Sequence, residues 1–173
     1  YENMFNSLGV QRLANFFRAL QQRLAAIAPN SGDAPLVALL TPGPYNETYF
    51  EHVFLARYLG FALVEGSDLT VRDNCVYLKT LEGLKRVHAV LRRLDDEFCD
   101  PAELRADSTL GVAGLISAAR AGNVIIANAL GSGVLESPAL PGFLPGICEN
   151  LLGEPLVLPS VATWWCGEAP ALE

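Results

Sequence analysis

Four short, almost wholly apolar runs recur along the chain: 36–41 (LVALLT), 61–65 (FALVE), 87–94 (VHAVLRRL) and 123–129 (NVIIANA). Successive side chains of a strand point to opposite sides of a sheet, so consecutive apolar residues suit a strand covered on both faces. Between the runs lie stretches of helical character, 47–59 (ETYFEHVFLARYL) and 111–122 (GVAGLISAARAG). Asn46 offers an N-cap for the first, Glu47 lies where the helix dipole favours an anion, and Gly60 supplies a stop. Gly122 closes the second. Strands alternating with helices predict an α/β fold, an open, mostly parallel, Rossmann-like sheet with helices on both faces. Residues 69–80 (LTVRDNCVYLKT) predict a hairpin turning at Asp73-Asn74, at one edge or as a small flap. Residues 142–153 read as partly helical and 154–159 as extended.

Upstream, Leu13, Phe16, Phe17, Leu20, Leu24 and Ile27 form one apolar stripe at helical spacing within 8–27. The turn-rich PNSGDAP at 29–35 then divides an N-terminal helical segment, 1–29, from an α/β domain, 30–173.

Composition narrows the class. Hydrophobic residues make up 51% of the 173 and charged residues 18%, the reverse of a disordered chain. No apolar run is long enough to span a bilayer, and no signal-peptide pattern opens the chain, so a soluble cytoplasmic protein is expected. A net charge of −7 argues against nucleic acid as a partner while leaving room for a local basic pocket. Cys75, Cys99, Cys148 and Cys166 form no CxxC pair and only two histidines are present, which argues for reduced structural thiols rather than a zinc site. A start at Tyr1 and the closing APALE read as the ends of a piece of a longer protein.

In open parallel sheets ligands bind beyond the carboxyl ends of the strands. Three loops take that position. TPGPYNETYFE, after the first strand, feeds a helix N-terminus suited to an anion, with Thr41, Tyr45, Asn46 and Thr48 as added polar contacts. Its prolines and glycine equally suit a plain strand-to-helix turn. LRRLDDEFCDP at 91–101 places Arg92, Arg93, Asp95 and Asp96 at the exit of a buried strand. Such charges are costly there unless paired or functional, and arginine is a natural clamp for carboxylate or phosphate. Strand alternation puts Arg93 and Asp95 on one face and Arg92, Leu94 and Asp96 on the other; a structural ion-pair network is the competing reading. In the third loop, NALGSGVLESPAL at 128–140, Gly131-Ser132-Gly133 is neither a GxGxxG fingerprint nor a P-loop, and spacing alone makes it a turn. His52 and His88 show no Ser or Cys partner for a catalytic triad. Trp164 and Trp165 in SVATWWCGE suit a core or edge cover, or else a pocket or interface.

The stretches LLTPGPYNETYFEHVFLARYLGFALVEGSDLTVRD, RRLDDEFCDPAELRADSTLGVAGL, ARAGNVIIANALGSGV and LPSVATWWCGE resemble the circularly permuted ATP-grasp family, across about residues 5 to 168. That family is often fused to an alpha-E helical domain, and glutathionylspermidine synthetase is a more distant relative. The resemblance implies an ATP-dependent carboxylate–amine ligase that activates a carboxylate as an acyl phosphate for attack by an amine. It implies ATP and Mg²⁺ for the whole protein, with neither held tightly by this segment alone. It also implies that this segment is mainly the pre-ATP-grasp domain, a Rossmann-like unit that helps bind the acceptor. Its partners would be the remaining ATP-grasp lobes, an alpha-E domain, and a small-molecule or peptide-like substrate.

Many relatives carry a lysine shortly after the glycine turn, the expected nucleotide-phosphate contact; here that position is Pro138, which brings neither charge nor donor. Three expectations follow. In the first, the segment grips substrate through Arg92, Arg93, Asp95 and Asp96, with Tyr45, Asn46 and Thr48, and is not catalytic alone. In the second, the loss of the lysine marks a non-catalytic binding or assembly module. In the third, weakened by the missing GxGxxG, it is a Rossmann-like nucleotide binder.

Overall fold

The computed structural model describes residues 2–10, 13–29 and 34–169, with the backbone alone for residues 2 and 3. Most of the PNSGDAP break and the last four residues of the chain lie outside the described residues. The chain forms two compact units, Tyr1–Ala129 and Leu130–Glu173.

The first unit contains α1 (Glu2–Ser7), α2 (Ala14–Ile27), β1 (Val37–Leu40), α3 (Tyr49–Leu59), β2 (Ala62–Val64), β3 (Leu69–Arg72), β4 (Cys75–Thr80), β5 (Gly83–Val87), β6 (Ala89–Arg92), α4 (Leu115–Arg120) and β7 (Ile125–Ala127). It is α/β, as its alternating runs predict. A four-stranded parallel sheet has the order β2-β1-β6-β7, and a separate antiparallel sheet has the order β3-β4-β5. β1 is buried along its whole length, with Leu39 and Leu40 fully inaccessible. Burying each of these leucines contributes about 1.5–3 kcal/mol. Gly60 ends α3 in the left-handed conformation, its N–H donating to the Ala56 carbonyl. Asp73 and Asn74 both have positive φ, the mirror-image turn that matches strand twist in a tight hairpin.

Three expectations need correction. The first helix begins at Ala14 rather than residue 8, and a separate short helix precedes it; residues 11 and 12 of the expected helix lie outside the described residues. The edge hairpin is two-thirds of a three-stranded sheet, because residues 83–87 return as β5. The run 87–94 is therefore shared. The chain leaves the antiparallel sheet at Val87 and joins the parallel sheet at Ala89, with His88 buried between them. His88 Nδ1 accepts the Leu36 N–H at 3.1 Å, fixing the junction to the residue before β1. In the second unit, α5 spans Leu140–Leu152.

The topology places a crevice. β1 connects through α3 to β2 on one side, and β6 connects through α4 to β7 on the other. Right-handed connections, the near-universal sense, then carry α3 and α4 to opposite faces. The carboxyl ends of β1 and β6 are neighbours whose chains depart in opposite directions, which is where open α/β sheets leave room for a ligand.

Candidate functional site

The strand exits carry three polar residues in one row. Leu40 pairs in register with Val64 on one side and Arg92 on the other. The next residue on each strand is Glu65, Thr41 or Arg93. The ladder still holds there: Thr41 N–H donates to the Val64 carbonyl and Arg93 N–H to the Leu40 carbonyl, both at 2.9 Å.

Thr41 begins a hydrogen-bonded chain that orders the following loop. Its hydroxyl accepts the Gly43 N–H at 3.2 Å and lies 2.9 Å from His52 Nδ1. On the far side of the ring, Nε2 lies 3.1 Å from Thr48 Oγ1. Asn46 Oδ1 accepts both the Thr48 N–H, at 3.0 Å, and the Thr48 hydroxyl, at 2.7 Å. These contacts settle the tautomer. The Thr48 proton goes to Asn46, so Thr48 Oγ1 must accept from His52 Nε2–H. Nδ1 is then the ring's acceptor and takes the Thr41 proton. His52 is 2% exposed and its pKa is lowered, first by burial and then by the nearby Arg93 charge, with Glu51 opposing. A neutral ring gives the buried Thr41 proton an acceptor at Nδ1 while still donating from Nε2 to Thr48. Asn46 is not the N-cap expected of it: α3 starts two residues later, after Thr48, and Asn46 instead closes a small turn before it.

Gly43 has φ +101°, and the Glu65 carboxylate rests against its α-carbon, where an added Cβ would lie 3.1 Å from the carboxyl carbon. A side chain here would be both strained and crowded.

The two arginines have different fates. Arg92 donates from Nε to the Asn128 carbonyl at 3.1 Å, from Nη2 to that of Ala129 at 3.4 Å, and from Nη1 to that of Leu94. It also pairs with Asp96 at 2.6 Å, and its side chain is mostly buried. This guanidinium binds the exit of β6 to the exit of β7. Arg93 is exposed and makes no side-chain hydrogen bond or ion pair among the described residues. Asp95 is exposed at the start of a 3-10 turn over Asp96–Phe98, and its carbonyl receives the Phe98 N–H. Tyr45 is fully exposed. The structure thus puts Asn46 and Thr48 on the loop after β1 and Arg93 at the neighbouring exit of β6, and sets Arg92 and Asp96 aside as a brace.

Three contributors went unread in the sequence. His52 lies one helical turn after Thr48, the only signal that could have found it. Glu65 ends an apolar run. Asp100, fully buried, accepts N–H groups from Ala102 at 2.9 Å, Gly114 at 3.1 Å and Ile116 at 2.9 Å. It therefore ties the loop after β6 to the start of α4, completing donors that the helix leaves open. Beside it, a Cβ on Gly111 would lie 2.1 Å from the Phe98 carbonyl oxygen, and one on Gly66 2.3 Å from that of Leu110. Three backbone segments meet there with no room for a side chain. Cys99, fully inaccessible, has its thiol pKa pushed up to about 11 by burial.

In the second unit, Gly131 has φ +83° and leads into one 3-10 stretch, Ser132–Glu136, rather than directly into an α-helix. α5 begins only at Leu140, after Pro138. Trp164 and Trp165 are both at least half exposed. Among the described residues no group of three or more His, Cys, Asp or Glu is placed to hold a metal. No helix among the described residues is long and apolar enough to cross a membrane.

A parallel sheet whose connections diverge at the neighbouring exits of β1 and β6 defines an open α/β domain with a topological switch point. The chain belongs to the circularly permuted ATP-grasp type 2 family, whose model matches residues 1–173. It is 44% identical over 167 residues to the uncharacterised protein Rv2567 of Mycobacterium tuberculosis, covering 96% of this chain and 19% of that protein. It is also 44% identical over 166 residues to the uncharacterised protein Rv2411c of the same organism, with 96% and 30% covered. With the uncharacterised protein sll0335 of Synechocystis the identity is 42% over 166 residues, with 96% and 34% covered. The chain spans between about a fifth and a third of the length of these relatives.

Proposed function

We propose that this chain is the substrate-binding, pre-ATP-grasp segment of an ATP-dependent carboxylate–amine ligase. The observation that supports this most is the switch point between the exits of β1 and β6, where Arg93 follows one strand and a loop ordered by His52 follows the other. In this reading Arg93 grips an anionic group of the acceptor, and Asn46 and Thr48 border it. Arg92 and Asp96 hold the crevice open by fixing the neighbouring exits. ATP and Mg²⁺ bind to the remaining lobes of the longer protein, where magnesium and cationic side chains offset phosphate charge. The test is ADP release by the full-length protein with Mg²⁺-ATP and mixtures of carboxylates and amines. Arg93→Ala is expected to raise KM for the acceptor about ten- to a hundredfold, as loss of a charged hydrogen bond does, with an unchanged melting temperature. A fall in melting temperature with unchanged KM would make Arg93 structural.

A second reading is favoured by Pro138 at the position where relatives carry lysine. It makes the protein a non-catalytic binding or assembly module. Calorimetry with Mg²⁺-ATP separates the two: nucleotide binding by the full-length protein supports the ligase, and its absence supports the module.

A further inference from the structure

The row at the strand exits carries opposite charges at its two ends. Glu65, Thr41 and Arg93 follow β2, β1 and β6 in register, so the two charged residues stand two strand spacings apart, about 10 Å. Residues level with one another on neighbouring parallel strands project to the same face. Both charged side chains are exposed. The Glu65 carboxylate is held against Gly43, and Arg93 has no partner among the described residues. Between them Thr41 is buried, and its hydroxyl is already committed to Gly43 and to a neutral His52. The middle of the row therefore brings no competing charge. Glu51, on α3, is the other ionised group whose field reaches this ring.

We propose that this row binds a zwitterionic substrate of dipeptide length, its carboxylate on Arg93 and its ammonium on Glu65. The inference rests on the reading of this unit as the acceptor-binding part of a ligase and gives that acceptor a chemical class. A phosphate or simple carboxylate gains Arg93 but is repelled by Glu65, and a simple amine meets the reverse. Only a ligand with both charges gains at both ends. An extended dipeptide is about 7 Å long, which fits a 10 Å backbone separation once both side chains lean inward.

The experiment is calorimetry on the full-length protein with L-alanyl-L-alanine, its N-acetyl form and its C-terminal amide, with Mg²⁺-ATP titrated into the same sample. The free dipeptide is expected to bind, and either cap to weaken it about ten- to a hundredfold. Arg93→Gln is expected to abolish discrimination against the amide alone, and Glu65→Gln discrimination against the acetyl form alone. Equal binding of all three forms, binding of none, or a cap preference untouched by both substitutions overturns the assignment. Dipeptide binding without ATP binding keeps the site and removes the ligase reading. ATP binding without dipeptide binding does the opposite.

Discussion

Replacing His52 with Phe tests the hydrogen-bonded chain that orders the crevice. The ring and the helix are kept, since Phe and His have similar helix propensities, and both nitrogens are lost. Thr48 is exposed, so water replaces its missing donor at little cost. Thr41 is 1% exposed. It still accepts from Gly43, but its proton has no acceptor, and a buried orphaned polar group costs about 1–3 kcal/mol. Each kcal/mol moves the melting temperature of a chain this size by about 2–4 °C. Taking the middle of the cost range, a fall of roughly 4–8 °C is expected. Thr41→Val leaves Nδ1 of His52 and the Gly43 N–H unmatched and is expected to cost a similar amount. In the double variant neither residue leaves the other stranded, so its cost should be about 1–2 kcal/mol less than the sum of the singles. Urea unfolding followed by far-ultraviolet circular dichroism measures the cycle. Additivity within about 0.5 kcal/mol would refute the coupling, and a ring protonated on Nδ1 in nitrogen-resolved NMR would refute the tautomer.

The same ring predicts a pH dependence. The folded state holds His52 neutral while the unfolded chain protonates it near 6.5. Its contribution is thus fully present above that value and is lost as pH falls through the lowered folded pKa. Urea midpoints should drop below pH 6.5 in the parent protein, and this part of the drop should vanish in His52→Phe. Removing the Arg93 charge should raise the His52 pKa, which ring NMR titration reads directly. Asp100→Ala strands three N–H donors and should cost about 3 kcal/mol or more, seen as a lowered urea midpoint. Gly111→Ala forces backbone apart at the Phe98 carbonyl and should cost about 1–3 kcal/mol in the same assay. A maleimide should label exposed Cys166 in the native protein and reach buried Cys99 only on unfolding.

Much of the frame was legible because it depends on local chemistry. The apolar runs became β1, β2, β6 and β7, Gly60 ended α3, and Asp73-Asn74 made the hairpin turn. β5 was not legible. Three of its five residues are exposed, so GLKRV shows little apolar signal, and Val87 blends into the next run. In the loaded stretch at 91–101, strand alternation does not extend to Asp96, because β6 ends at Arg92 and Asp96 opens a 3-10 turn that brings it to Arg92, and alternation could not rank the two arginines. That ranking came from the Asn128 and Ala129 carbonyls, 36 and 37 residues away, which occupy Arg92 and leave Arg93 open. His52 was obscure for the same reason, since one of its two partners sits on another element, 11 residues upstream.

By itself the sequence determined the α/β class, the places where the chain must turn, and the strand exit at which charge accumulates. These follow from side-chain periodicity and backbone preference, which act over a few residues. The tertiary structure alone decided that Glu65, Thr41 and Arg93 stand level, that His52 is neutral between two threonines, and that Asp100 is an internal tie. Each of these depends on strand register or on burial, and both are set only when distant segments pack together.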